Sequence, residues 1–269
     1  MTMLILNLTA TLLYISSGFI LFRQLIRGRD IATSKTPVLI LSVAAVLVHG
    51  GIIYAGMLHH DQWDLGITSA FSIIAFAVAG VFTGIAIWRP IENLGVAVMP
   101  AAAISVLGAW LWPTGTQAQV NPSAPFTLHL IVAVMAYAFL TLAVIEALLL
   151  NLQENRLRQR EPGRLLKALP PIQTMEKLLF LFAGVGFILL TLTLISGAVY
   201  NKFLLGVSLT FNHHTVLTII AWVIFGVLMV GHFRFGWRGR YAAHWTIGGF
   251  VVLVLAYFGT KYVAEFLLN

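Results

Sequence analysis

The chain reads as all-α: a polytopic membrane helical bundle with eight transmembrane helices. Three observations predict this. Hydrophobic residues make up 59% of its 269 residues and charged residues 9%, with a mean hydropathy of +0.93. A soluble domain of this length carries about a quarter charged residues. Its apolar runs are roughly 19–26 residues long, enough to cross a hydrocarbon core of about 30 Å as helix. Alternation of period two is absent, which argues against a β-barrel. No internal repeat, low-complexity tract or soluble domain interrupts the pattern, so residues 1–269 are expected to form a single integral-membrane domain.

The spans are expected near residues 2–22, 36–57, 66–88, 95–112, 126–150, 177–200, 214–232 and 244–266. Basic residues orient them. With the N-terminus outside, the inside segments hold Arg23, Arg27, Arg29, Lys35, Arg89, Arg156, Arg158, Arg160, Arg164, Lys167, Lys177, Arg234, Arg238 and Arg240, fourteen of the sixteen Lys and Arg residues. Only Lys202 and Lys261 fall outside. Cytoplasmic loops carry such an excess, so both termini are expected outside, in the periplasm of a bacterial inner membrane. The first basic residue, Arg23, follows the first apolar run, which therefore reads as a retained span rather than a signal peptide.

A net charge of +7 would suggest nucleic-acid binding in a soluble protein. Here the excess lies in loops that face anionic lipid, so membrane lipid is the expected partner and nucleic acid is not. With no cysteine, disulfides, CxxC redox chemistry and thiolate metal sites are excluded.

Along the chain, span 2 carries His49 inside its apolar run, and the loop HHDQWDLG after it holds His59 and His60. Span 3 has Gly80 and Gly84 at GxxxG spacing, which permits close helix contact. Pro100 is placed to kink span 4, and Trp110 and Trp112 mark its outer end. An irregular outside loop, PTGTQAQVNPSAP, leads into span 5, with His129 one turn inside and Glu146 near the inner end. A basic helical extension follows and stops at Pro170-Pro171. Span 6 reads as plain apolar packing.

The stretch His213–Arg240 carries most of the candidate chemistry. His214 and His232 are eighteen residues apart, five whole turns, and share a face with Thr218, Ala221 and Phe225. They are also about 27 Å apart along the helix, too far to hold one iron together. Two depths follow. An outer site draws on His129, His213 and His214, with His59 and His60 as outlying candidates or polar anchors. An inner site would pair His232 with His49, against the depth of His49, which lies about 21 Å up from Lys35. Ionisable residues inside spans normally face the bundle interior, and neutral imidazole ligates haem iron, zinc and copper. Trp222 and Tyr137 read as packing. No nucleophile–base pair, P-loop or paired carboxylate falls within a span, so no enzyme activity is expected.

The segment TVLTIIAWVIFGVLMVGHFRFGWRGR, followed by LAYFGTKYV, resembles the cytochrome c assembly membrane proteins of the CcsA/CcmC type, in particular their short YpjD-like inner-membrane branch, with HemX-like proteins nearby. VLVHGG, FTLHLIVAVMAYAFLTL and PPIQTMEKLLF agree with it. The resemblance implies haem binding or presentation on the outer side, in association with cytochrome c maturation proteins. It sets His129 on the family's outer histidine, and His49 and His232 on its two intramembrane histidines. His213 falls where the short branch often has a histidine. Haem iron would then be held by His129 and His213, or by His129 and His214. Full synthesis members carry a tryptophan-rich segment where this chain reads NKFLLGVSLTFNHH, and a late outer histidine that does not occur here up to Asn269. Two other classes remain open: a divalent-metal or small-solute transport component with histidines and Glu146 along a polar path, and a partner subunit without a ligand.

Overall fold

A computed structural model describes residues 2–27, 35–60, 63–113, 119–120, 123–159, 169–206 and 212–263. The helices are α1 (Thr2–Arg27), α2 (Lys35–His60), α3 (Ile67–Trp88), α4 (Gly95–Leu111), α5 (Ala124–Arg158), α6 (Ile172–Leu205), α7 (His213–Phe235) and α8 (Gly239–Val254). The eighth continues through a π turn, Leu255–Gly259, into Thr260–Tyr262. Among the described residues, eight helices are long and apolar enough to cross a membrane. Large apolar side chains stand exposed along them, Leu47 at 70% and Ile104 at 64% for example. Such a surface needs lipid, and the protein is a multi-pass membrane protein.

The helices overrun the expected spans where polar sequence still favours helix. α5 continues to Arg158, with Arg156 and Arg158 in the last turn, where positive charge complements the negative end of the helix dipole. α6 begins at Ile172 directly after Pro171, and α8 begins at Gly239, five residues before the expected start.

The helices fall into two compact units. Residues 1–122 and 156–170 form the first; residues 123–155 and 171–269 form the second. In the first unit α1 packs on α2 and α4, and α3 packs on α2 and α4, so the four helices close around one core. Tyr14, Leu21, Phe82, Ile91, Leu94 and Met99 are fully buried there. A Cβ on Gly18 would lie 3.2 Å from the Pro100 ring, so α1 and α4 approach closely at that glycine. The GxxxG pair does not act this way. A Cβ on Gly80 would meet only Val46, at 3.9 Å, and one on Gly84 would meet nothing within 4 Å. Spacing alone marks a possible contact; which face meets a neighbour is decided by packing.

Both ends of the first unit are tied. At one end, Lys35 at the start of α2 lies 3.7 Å from the Glu92 carboxylate and donates to the Ile87 carbonyl. At the other, Trp63–Asp64 pairs antiparallel with Gln119–Val120, giving the second expected loop a two-residue ladder. Asp64 accepts from Gly66 N–H at 2.9 Å and from Ser69 Oγ at 2.6 Å, which fixes the start of α3.

In the second unit α6 and α8 pack on α7. Ala147 and Leu150 of α5 join Met175 and Leu179 of α6 and Ala243 of α8 in one buried cluster. The expected stripe on α7 is buried at Thr218, Ala221 and Phe225. Its ends differ: His214 is exposed and His232 half-buried.

Candidate functional site

His49 lies in the first unit, 1% exposed. Its Nδ1 is 3.2 Å from Tyr14 Oη and its Nε2 is 2.9 Å from Ser72 Oγ. The rings of Tyr14 and Phe76 stand edge-on to it, with centroids 5.8 and 5.5 Å away. Three helices therefore meet at one imidazole, and both of its nitrogens are engaged by hydroxyls. One turn along α1, Ser17 and Ser42 join α1 to α2 at 2.9 Å, and Ser42 Oγ reaches Met99 Sδ on α4 at 3.6 Å. The core of this unit is thus stitched by short polar links, each satisfied by another helix.

The second unit holds a different arrangement, at the end where α5 and α7 begin and α6 finishes. His129 on α5 places Nδ1 2.8 Å from Ser196 Oγ on α6. The same Ser196 Oγ lies 3.1 Å from the Thr193 carbonyl. Ser196 thus engages Nδ1 of the ring rather than Nε2. Gly197 makes room for the ring: a Cβ there would come within 3.2 Å of His129 Cε1. His214 is the second residue of α7. The His214 ring is edge-on to Tyr257, with centroids 6.2 Å apart. Phe126 and Tyr200 line the same end, 5.8 Å apart.

Asn212 starts α7 by accepting from Thr215 N–H at 2.9 Å and Thr215 Oγ1 at 2.7 Å. That cap secures the first turn, where His213 and His214 are both exposed and the His214 ring meets Tyr257.

His232 sits at the far end of α7. Its ring stacks on Phe180, with centroids 3.5 Å apart and planes 21° from parallel. Its Nδ1 is 3.3 Å from the Trp237 carbonyl, which only accepts, so the proton lies on Nδ1. The turn after it depends on glycine. Gly236 ends α7 at φ +65°, with its N–H on the Gly231 and His232 carbonyls. Trp237 folds back onto Gly231, where any Cβ would overlap the indole. Gly239, at φ +55°, donates to Glu176 Oε1 at 2.7 Å and leaves room only for Glu154.

The outer candidates His129 and His214 lie in the same unit. The inner pair is divided between units, with His49 in the first and His232 in the second. The side chains of His59 and His60 lie outside the described residues, as do residues 207–211, where the tryptophan-rich segment would stand. Glu146 is fully buried on α5. Among the described residues no three His, Cys, Asp or Glu side chains gather as a metal group. The sequence reading missed Ser196, in a span taken as plain packing, and Tyr257. Only the YFG signature pointed toward Tyr257.

Eight apolar helices among the described residues, long enough to span a bilayer, define a multi-pass membrane protein. The family model described as Cytochrome C assembly protein matches residues 5–268, and the chain belongs to that family. It is 28% identical to the inner membrane protein YpjD of Escherichia coli K12 over 233 residues, covering 84% of this chain and 86% of that one. It is 30% identical over 212 residues to an uncharacterized 28.8 kDa protein of Azospirillum brasilense, covering 77% and 78% of the two chains. A cytochrome c biogenesis protein CcsA from Prochlorococcus marinus is 33% identical over 89 residues, 33% of this chain and 28% of that protein. No solved structure matches.

Proposed function

We propose that the protein is a non-enzymatic haem-handling component of cytochrome c biogenesis in the bacterial inner membrane, with haem held at the outer end of its second unit by His129 and His214. The distribution of Lys and Arg puts that end outside. The family, and the cytochrome c biogenesis proteins within it, support the biological setting.

The observation that carries the reading is the contact of His129 Nδ1 with Ser196 Oγ, at 2.8 Å. With Nδ1 donating to that oxygen, Nε2 would offer its lone pair to a metal. This is how metal-binding histidines are commonly held: the second ring nitrogen donates to a fixed acceptor, which orients the ring and raises its basicity. His214 supplies the second imidazole, and the rings of Phe126, Tyr200 and Tyr257 offer apolar surface at the same end. Haem, when bound, would supply an iron centre able to take imidazole on both faces. The chain's own residues would bind and orient the group. His213, one residue earlier and exposed, is the secondary candidate for the second ligand.

The test is the visible spectrum of the full-length protein purified in detergent and titrated with haem. A Soret band that is lost in His129→Ala and in His214→Ala, and kept in His213→Ala, supports the site. A wild-type protein that takes up no haem, or a band indifferent to His129, refutes it. Metal analysis of the same samples tests the transport alternative.

A further inference from the structure

The turn between α7 and α8 carries three cations that the protein itself does not neutralise. Arg234, Arg238 and Arg240 fall within seven residues. Arg234 and Arg238 are exposed and Arg240 is half-buried. Among the described residues, none of the three guanidiniums has a hydrogen bond or an ion pair. Two carboxylates stand at the same turn, and neither takes an arginine. Glu176 accepts the Gly239 amide at 2.7 Å, and the Glu154 carboxylate fills the place a Cβ on Gly239 would take. The backbone between the arginines is fixed: Gly236 and Gly239 hold positive φ, and Trp237 packs back on Gly231. Rings accompany the charges. Phe233 and Phe235, on either side of Arg234 in sequence, are 79% and 73% exposed. Trp237, Tyr241 and Trp245 form one cluster, with centroids 4.5 to 6.4 Å apart.

Exposed phenyl rings beside a charge are unfavourable in water. They are favourable at a bilayer interface, where rings reach the acyl chains and the charge stays among headgroups. The two phenylalanines therefore set the turn at headgroup depth. There a guanidinium meets phosphodiester oxygens, which match its planar fork of donors. Three cations without a counter-charge select a lipid of net negative charge over a zwitterionic one, whose ammonium offsets its phosphate. We propose that the α7–α8 turn is a binding site for the headgroup of an anionic phospholipid, held by Arg234, Arg238 and Arg240. The glycine-shaped backbone is ordered before lipid arrives, which lowers the cost of binding. The site lies at the end of α7 far from His214 and is independent of haem.

Native mass spectrometry of the full-length protein in detergent tests this, with added dioleoylphosphatidylglycerol and with dioleoylphosphatidylcholine as its zwitterionic match. Wild type is expected to retain the glycerol lipid and not the choline lipid. R234Q/R238Q/R240Q is expected to weaken that retention about 100-fold and Arg238→Gln alone about fivefold, the size of effect that basic residues have at an anionic surface. R23Q/R27Q/R89Q removes the same charge from exposed arginines elsewhere and is expected to stay near wild type. Equal retention of the two lipids by wild type overturns the proposal, as does undiminished retention in R234Q/R238Q/R240Q. An equal loss in R23Q/R27Q/R89Q also overturns it, by making the effect one of overall charge. Inorganic phosphate in excess is expected to leave the lipid bound; displacement would defeat the lipid assignment. Unfolding midpoints in lipid-free detergent check that the variants are folded, and Arg238→Gln decides the matter should the triple variant not fold.

Discussion

His49 and His129 are both histidines set in apolar helical sequence, and their surroundings give them opposite capacities. His49 is sealed in the first unit with a hydroxyl on each nitrogen. His129 is half-buried in the second unit, with Nδ1 held by Ser196. A histidine inside a membrane span therefore says that something polar must meet it, without saying whether the partner belongs to the protein. Where two helices supply hydroxyls, the imidazole becomes a clamp. Where one helix supplies a single hydroxyl, only one ring nitrogen is held by it.

The largest effect should come from removing the His129 ring. His129→Ala is expected to abolish haem uptake in the spectral titration while leaving the thermal unfolding midpoint near wild type. The reverse pattern is expected for His49→Ala. It strands Tyr14 Oη and Ser72 Oγ in a sealed core, at a cost of about 2 kcal/mol, read as a lowered unfolding midpoint with haem affinity retained. A His49→Ala protein that is fully stable but spectrally silent would invert the comparison. Ser196→Ala tests the orienting contact: loss of such an outer partner typically weakens metal binding about 10- to 100-fold, and the titration should show a fall of that order without loss of fold. Ser72→Ala removes one of the two links to His49 and should cost about 0.6 kcal/mol, the usual size of a hydrogen bond between membrane helices. The smallest effect belongs to His213→Ala, an exposed helix-end position, with stability within about 0.5 kcal/mol of wild type and an unchanged spectrum.

Much of the architecture was legible before any coordinates. Backbone polar groups must be satisfied internally within lipid, so each long apolar run had to be a helix. Helix ends were less legible, because α5 and α8 run into polar sequence that still favours helix, as at Arg156–Arg158 and Gly239–Tyr241. The Gly80–Gly84 pair shows a second limit: the spacing is right, yet the face it marks has no close neighbour. The stripe on α7 was readable because Thr218 stands out in an apolar helix. Ser196 and Tyr257 were not, since a serine in a long apolar run and a tyrosine near a helix end are ordinary residues until a partner is seen.

By itself the amino-acid sequence determined the eight crossings, the excess of charge on one side and the set of histidines from which any site must be drawn. Those properties follow from transfer of residues between water and hydrocarbon, and each is local to a segment. The tertiary structure alone decided that His49 became a clamp between hydroxyls, that His129 met Ser196, and that the His214 ring stands edge-on to Tyr257. In a membrane protein both lipid and neighbouring helices are apolar, so hydrophobic patterning hardly records which face of a helix meets which partner. Only the packed arrangement of hydroxyls, carbonyls and rings from different helices does.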